Sequence, residues 1–222
     1  MLKTKPILGA LIEKINAAHP MTKLDVGEYA EIKAPMMKFE ISAYKAEGLG
    51  HVSVMSMSGM LGLMKMDTVI INPKERDLPL LSYDRVYAAG NDTLIVELYN
   101  TRANINAELP KLAAVKVEAE KLPQNDLGEH WYDHIKLPES ISLKATKATS
   151  SEFDKVAEKM LTAYLETSAD SEFDAVAKAE KSSAYVEGLL SNGGPSTSVF
   201  LKLFGEEKTA DLFRTVLFGT QA

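Results

Sequence analysis

The sequence predicts an α/β protein in which helices cover both faces of a central antiparallel sheet, a three-layer α/β/α sandwich. Three observations support this prediction. An amphipathic segment comes first, residues 28–101 read as short strands joined by tight turns, and from about residue 105 onward the periodicity is helical. A one-sheet meander needs helices to cover its apolar faces, and helices on both sides give three layers.

The strand prediction depends on alternating apolar and polar residues. In residues 37–44, Met, Phe, Ile and Ala alternate with Lys, Glu, Ser and Tyr, the period of two that marks a sheet with one face on a core. Further predicted strands follow at residues 51–58, 63–72, 83–89 and 93–100. The connector Ala-Gly-Asn-Asp at 89–92 has the residues of a tight hairpin. Short connections throughout predict antiparallel neighbours rather than βαβ units.

The second half of the chain shows the 3.6-residue period of helices. Apolar side chains in residues 150–166 fall on one stripe. The sequence Ser-Glu-Phe-Asp starts at Ser151 and again at Ser171, and we interpret both occurrences as helix starts. The Gly-Gly-Pro at 193–195 is expected to close the second helix. No Pro/Ser-rich linker divides the chain, so residues 1–222 are predicted to form a single domain, which is long enough to bury a stable core.

The composition excludes several classes of function. The chain has no cysteine, which excludes disulfides, thiolate zinc sites, a cysteine nucleophile and an iron–sulfur cluster held by four thiolates. Redox chemistry would therefore need electrons from a partner or a dissociable cofactor. A net charge of −6 argues against nucleic-acid binding. No apolar run approaches the roughly 20 residues of a membrane span. Because Glu13, Lys14 and Asn16 interrupt the apolar start, we expect a cytoplasmic protein with no membrane partner.

One acidic residue falls on the apolar face of a predicted strand. In residues 80–88, Asp84 shares its face with Leu, Ser, Val and Ala, whereas Tyr83 and Arg85 lie on the other face. A carboxylate that faces a pocket or core is costly unless it is paired, hydrogen-bonded or protonated. Burial would raise its pKa toward the range of a general acid. Asp84 is therefore a candidate catalytic acid; the alternative is an aspartate that bonds local backbone near the strand start.

Two stretches of the sequence resemble the ferredoxin-dependent bilin reductases. The stretch Asn72–Asp84, which contains Leu-Pro-Leu-Leu-Ser-Tyr-Asp at 78–84, resembles the family pattern Pro…Leu-Pro-(Leu/Ile)-Phe-Gly-x-Asp on a strand that leads into a hairpin. The residues Val-Phe-Leu-Lys-Leu-Phe-Gly-Glu at 199–206 and Val-Leu-Phe at 216–218 resemble the ending Leu-x-x-x-Phe-Gly … Val-Leu-Phe. The plant red chlorophyll catabolite reductases share the fold as a sister branch.

The resemblance implies a substrate and an electron source. A linear tetrapyrrole, biliverdin or a related bilin, would lie between the sheet and the C-terminal helices. Ferredoxin or flavodoxin would deliver single electrons, and the protein would deliver protons through bilin radicals, with no bound metal or flavin. The aspartate that donates a proton to the bilin falls on Asp84. An aspartic acid in a water-poor pocket can stay protonated near neutral pH, and a protonated pigment is a better electron acceptor.

Four further site residues follow from the resemblance. An ungapped match one strand earlier gives Asp67 as a second catalytic residue; the alternative is an ordinary charge paired with Lys65. Lys144 is the nearest match to the basic residue that holds a bilin propionate. Asn192, in the C-terminal loop, is a candidate substrate contact. His51 is the only titratable residue near the position of a glutamate that this chain lacks, and the alternative is a surface histidine.

Departures from the family pattern leave other functions open. The C-terminal loop lacks the Asp and Lys of some members, so a tetrapyrrole-binding protein without catalysis is one alternative. A reductase of a chlorophyll-catabolite-like substrate is another. His130 and His134 raise the hypothesis of a metal site, against a surface loop with Trp131 packed inward. An acidic electron carrier would need a local basic patch to dock on. The candidates for that patch are Lys111, Lys116, Lys144 and Lys147.

Overall fold

The computed structural model of the protein describes residues 7–146, 150–170, 172–194 and 196–221. Eight strands and five α-helices make up this part of the chain. The strands are β1 (Met21–Leu24), β2 (Glu31–Ala34), β3 (Met37–Ala46), β4 (Gly50–Gly59), β5 (Met64–Pro73), β6 (Leu80–Ala88), β7 (Asn91–Tyr99) and β8 (Ile141–Thr146). The helices are α1 (Ile7–Ala18), α2 (Pro110–Ala119), α3 (Ser150–Leu165), α4 (Ala175–Asn192) and α5 (Thr197–Asp211), and the π-helix Leu212–Leu217 continues α5.

All described strands belong to one sheet, and every pairing between them is antiparallel. The order is β1-β3-β4-β5-β6-β7-β8, with β2 paired to β3. Strands β3 to β7 follow one another directly, as the short connections predicted. The turn between β6 and β7 has positive φ at both Ala89 and Gly90, the backbone of a tight hairpin whose twist matches its strands. The predicted α/β class with a central antiparallel sheet is confirmed.

The structure corrects two predictions about the second half of the chain. Ile141–Thr146 form the edge strand β8 on β7, although this segment lies in the region read as helical. Its residues Ile-Ser-Leu-Lys-Ala-Thr do alternate between apolar and polar, so the period of two was present in the sequence, although over only six residues, and the strand is stabilised by its pairing with β7. Helix α3 begins at Ser150, so Ser151 is not its cap. Helix α4 is capped by Asp174, which accepts from Ala177 N at 2.9 Å, while the predicted start at Ser171 lies outside the described residues.

Alternation along the strands divides the sheet side chains between two cores. On one face, sheet residues such as Val54, Val69 and Tyr83 pack with α1, α2 and α3. On the other face, Met55, Ile70 and others pack with α4, α5 and the π-helix. No described helix combines the length and apolarity that a membrane span requires. The second face is the one that carries Asp84, because Asp84 pairs across the strands with Thr68, which in turn pairs with Met55.

The chain after α5 is fastened to the sheet by three consecutive carbonyl groups. His51 Nε2 donates to the carbonyl of Val216 at 2.8 Å, Ser53 Oγ donates to that of Leu217 at 2.6 Å, and Asn72 Nδ2 donates to that of Phe218 at 2.8 Å. All three donors are buried. Bonds of this kind satisfy carbonyls that the end of a helix leaves free, and they fix the height of the C-terminal segment above the sheet.

Candidate functional site

A cleft lies between the second sheet face and the C-terminal helices, with a cavity volume of about 60 Å³. Typical pockets for small molecules and cofactors are larger, at about 300–1,000 Å³. The sheet side is polar and the helix side is mainly apolar. Its polar floor includes Thr68, Ser82, Asp84, Glu97 and Tyr99, and its apolar cover includes Leu189, Phe213, Leu217 and Phe218. The cleft therefore offers a few polar groups under a hydrophobic surface.

Asp84 lies on the floor of this cleft, at the centre of β6, as strand parity predicted. Its Oδ1 accepts from Thr68 Oγ1 at 2.5 Å, and its Oδ2 accepts from Ser82 Oγ at 3.2 Å. Removal from water raises the pKa of Asp84 to about 6, the two hydroxyl donors oppose this rise, and the nearby charge of Glu97 adds to it. A carboxyl group with a pKa of about 6 is still partly protonated near neutral pH, so it can act as a general acid.

A second carboxyl group, which the sequence reasoning missed, lines the same cleft. Glu97 on β7 is buried and lies directly opposite Ser82 in the strand register. The Tyr99 hydroxyl donates to Glu97 Oε2 at 2.6 Å, and burial raises the pKa of Tyr99, so this hydroxyl keeps its proton. Parity would have found Glu97 as it found Asp84, because Glu97 alternates with the apolar residues Val96 and Leu98 that fill the first core.

Aromatic rings close one side of the cleft. The rings of Tyr99 and Tyr185 lie 4.2 Å apart between centroids, and Tyr132 contacts both in edge-to-face geometry. Trp131 packs inward against Gly188, where a Cβ would come within 2.1 Å of the indole ring, as the loop alternative predicted. No sequence pattern indicates Tyr185, because its position depends on how α4 docks against the sheet.

Asp67, which is predicted as a second catalytic residue, does not line this cleft. Asp67 pairs with Arg85, whereas Thr68 pairs with Asp84. Asp67 therefore points to the opposite face, where it accepts from Ser56 Oγ at 2.6 Å. Neighbouring residues of a strand point to opposite faces of the sheet, so the residue beside Asp84 on this face is Thr68 and not Asp67. Thr68 occupies the place that the match assigned to Asp67.

Two of the predicted substrate contacts also lie outside the cleft. His51 is buried and holds the carbonyl of Val216, so it is neither a surface histidine nor part of the cleft lining. Desolvation lowers the pKa of His51, which keeps the ring neutral. Asn192 is exposed at the end of α4, and its Nδ2 donates to the carbonyl of Gly188 at 3.2 Å. It borders a separate open depression beside Trp131.

The predicted basic residues have different positions. Lys144 is exposed on β8 and pairs with Thr93, which places it on the same sheet face as Asp84. Lys111 forms an ion pair with Glu166 at 3.0 Å, and Lys116 donates to the carbonyl of Ser140 at 2.9 Å. The fourth predicted lysine, at position 147, lies outside the described residues. None of the three described lysines lines the cleft; Lys144 lies on its sheet face, two strands away from Asp84.

The histidine pair of the 130–134 loop does not form a metal site in the described structure. These residues form turns rather than a helix, and the ring of His134 bonds the carbonyl of Trp131 through Nδ1 at 2.9 Å. Within the described ranges, no group of three His, Cys, Asp or Glu side chains has the arrangement of a metal centre.

Comparison with known proteins identifies the fold. No protein-family model matches the chain, and neither does any curated protein sequence. Among solved structures, the chain is similar to phytochromobilin synthase from tomato in complex with biliverdin. The TM-score is 0.74 and the sequence identity is 15%, and the match covers 96% of this chain and 82% of that one. The predicted resemblance to the bilin reductases is therefore confirmed at the level of the fold.

Proposed function

We propose that this protein reduces a linear tetrapyrrole, biliverdin or a related bilin, with electrons from ferredoxin and a proton from Asp84. In this proposal the two helical groups enclose the sheet as a three-layer sandwich, and the pigment lies in the cleft. The observation that carries the proposal is the position of Asp84. A carboxyl group with a raised pKa lies on the floor of a cleft, in the fold of a protein that binds biliverdin.

The cleft has the surfaces that a flat conjugated pigment would need. Leu189, Phe213 and Phe218 present apolar surface on the helix side, facing the hydroxyl and carboxyl groups of the sheet. Aromatic and aliphatic contacts would bind the rings and exclude water, which strengthens the interactions of the polar groups inside. Lys144, on the same face at the sheet edge, is proposed to bind a propionate of the pigment.

The proton balance of the reaction assigns Asp84 its role. Reduction of one double bond consumes two electrons and two protons, and ferredoxin supplies electrons one at a time. An added electron makes the pigment a stronger base, and Asp84 would neutralise the new charge by donating its proton. Because the hydroxyl groups of Thr68 and Ser82 both donate to Asp84, the carboxylate that remains is stabilised where it forms.

The test is anaerobic incubation with biliverdin and reduced ferredoxin, with the products separated by chromatography. We expect reduced bilin from the natural protein. Asp84→Asn should bind biliverdin and lose turnover, by about 10²-fold or more if general acid catalysis is removed. Asp67→Asn is the matched control, because it makes the same chemical change on the opposite face of the neighbouring strand. Native turnover by Asp84→Asn, or an equal loss in Asp67→Asn, would refute the assignment.

A second candidate function is a tetrapyrrole carrier or sensor without catalysis. It is favoured by the position of Asn192, which lies outside the cleft, and by the absence of the Asp and Lys that some bilin reductases carry in the C-terminal loop. Tight binding of biliverdin, with no reduction by any electron donor, would establish this function instead. A panel of linear tetrapyrroles compared by absorption titration would separate bilins from chlorophyll catabolites as ligands.

A further inference from the structure

Glu97 lies between the cleft and a second, polar groove. This outer groove has a volume of about 240 Å³ and opens over β8 and the segment 124–128. Glu97 lines both spaces. Polar residues dominate the outer groove, and they include Lys116, Gln124, Asn125, Lys136 and Ser140. The buried carboxyl group of Glu97 therefore lies against both the cleft and a groove that water can enter.

One oxygen of Glu97 is satisfied and the other is not. The Tyr99 hydroxyl donates to Oε2 at 2.6 Å. Oε1 accepts no hydrogen bond from the described residues, and its nearest cation is Lys136, whose Nζ is 3.7 Å away. The Glu97 side chain is 8% exposed. A buried acceptor without a hydrogen-bond donor is unfavourable. Oε1 is therefore available to accept a hydrogen bond from water or to bind a proton.

Ser82 lies between Glu97 and Asp84 on the sheet face of the cleft. Glu97 and Ser82 are directly opposite each other in the β6–β7 register, and the Cβ atoms of such pairs are about 4.5–5.5 Å apart. The Ser82 hydroxyl lies 3.2 Å from Asp84 Oδ2. A serine hydroxyl both donates and accepts hydrogen bonds. It can therefore take a proton from one carboxyl group while it gives its own to the other.

We propose that Glu97 is the entry residue of a proton relay that recharges Asp84 from the outer groove. The proposal rests on the proposed function, since Asp84 needs recharging only if it protonates a bound pigment. Reduction of one double bond consumes two protons, and Asp84 holds one at a time. The outer groove would supply the second proton without opening the cleft to water.

The relay step is a proton transfer without electron transfer. A hydronium ion in the groove gives a proton to the Glu97 carboxylate, so one O–H bond of the ion breaks, an O–H bond forms at Glu97 and water remains. The protonated Glu97 side chain then turns toward Ser82. Its new O–H bond breaks as Ser82 Oγ takes the proton, while the O–H bond of Ser82 breaks and a new one forms at Asp84 Oδ2. The net result is one proton moved from the groove to Asp84. Lys136 also pairs with Asp133 at 2.5 Å, so its ammonium is held at the groove end of the relay.

Glu97→Gln is the first test, because glutamine keeps the shape and the hydrogen bond from Tyr99 but does not exchange a proton. We expect Glu97→Gln to bind biliverdin normally and to complete the first proton-coupled step at the native rate. Later steps should slow by roughly 10²-fold, which is the lower end of the rate enhancement that general acid–base catalysis provides. The matched control is Glu120→Gln, which makes the same chemical change at an exposed residue after α2 and should turn over normally.

Two further variants separate a relay from a structural role. Glu97→Ala should regain turnover when acetate or formate is added, because a small acid can enter the groove and replace the missing carboxyl group. Ser82→Ala should slow the same step, and the double variant with Glu97→Gln should be no slower than either single variant. A purely structural role would predict no rescue and additive losses.

The outcomes distinguish this proposal from the proposed function. If the natural protein reduces biliverdin and Glu97→Gln does so at the same rate, the relay is refuted and Asp84 keeps its role. The relay is also refuted if small acids fail to rescue Glu97→Ala while that variant still binds biliverdin. If the natural protein reduces no bilin, the proposed function fails and the relay fails with it.

Discussion

Removal of the Asp84 carboxyl group should make the protein more stable at neutral pH. Asp84 has a pKa of about 6 in the folded protein, against 3.8 for an unperturbed aspartate. The folded state therefore binds the proton more tightly than the unfolded state does. The contribution of this group to stability is fully present below about pH 4 and is lost as the pH rises through about 6. Asn at this position does not titrate.

The expected change in the unfolding free energy follows from the difference in the pKa of Asp84 between the folded and unfolded states. Between about pH 4.5 and about pH 8, linkage gives a loss of about 2 kcal/mol in the unfolding free energy of the natural protein. The loss is nearer to about 1 kcal/mol if water in the cleft screens part of the burial penalty. The stability of Asp84→Asn relative to the natural protein should therefore increase by about 1–2 kcal/mol across this range.

Urea denaturation at the two pH values measures this change. Trp131 is the only tryptophan, so its fluorescence reports unfolding, and an unchanged m-value would show that the same surface is exposed. Asp133→Asn is the control. The hydrogen bond from Lys136 lowers the pKa of Asp133. The contribution of Asp133 to stability is therefore lost only as the pH falls below about 4. Asp133→Asn should then differ in stability from the natural protein by nearly the same amount at both pH values. A difference for Asp84→Asn that does not change with pH would show that Asp84 is not desolvated.

Two further predictions concern packing. Arg85 and Asp92 form a buried ion pair, with Nε and Oδ1 2.5 Å apart; Arg85→Gln should lower the unfolding free energy by about 3–5 kcal/mol, and native stability in urea would contradict this. Gly188→Ala places a Cβ 2.1 Å from the Trp131 ring, so it should shift the fluorescence of Trp131 and destabilise by about 1–3 kcal/mol. Gly9→Ala, with no atom within 4 Å of the added Cβ, is its control, and an unshifted spectrum in Gly188→Ala would refute the contact.

The sequence was most informative where side-chain alternation is strong. Parity alone placed Asp84 on the cleft face, and the same reasoning applied to β7 would have found Glu97. Parity could not correct the assignment of Asp67, because that assignment came from counting residues across a turn, and one residue of difference exchanges Asp67 for Thr68. Tyr185 could not be predicted, since its position at the cleft depends on the docking of α4.

The burial of His51 shows a second limit of prediction from the sequence. A histidine near a strand start gives no sign of whether it is exposed or covered. It is covered because the carbonyl groups that end the π-helix need donors from the sheet, and His51, Ser53 and Asn72 supply them. These contacts join residues more than 140 positions apart in the chain, so no local pattern records them.

The rate of a single reduction of bound biliverdin, followed by rapid mixing with reduced ferredoxin as a function of pH, tests the central claim most directly. If Asp84 donates the proton, the rate in the natural protein should fall about tenfold per pH unit above about pH 6, and Asp84→Asn should be slow at every pH. A rate independent of pH in the natural protein, or a rate in Asp84→Asn equal to it, would contradict the claim.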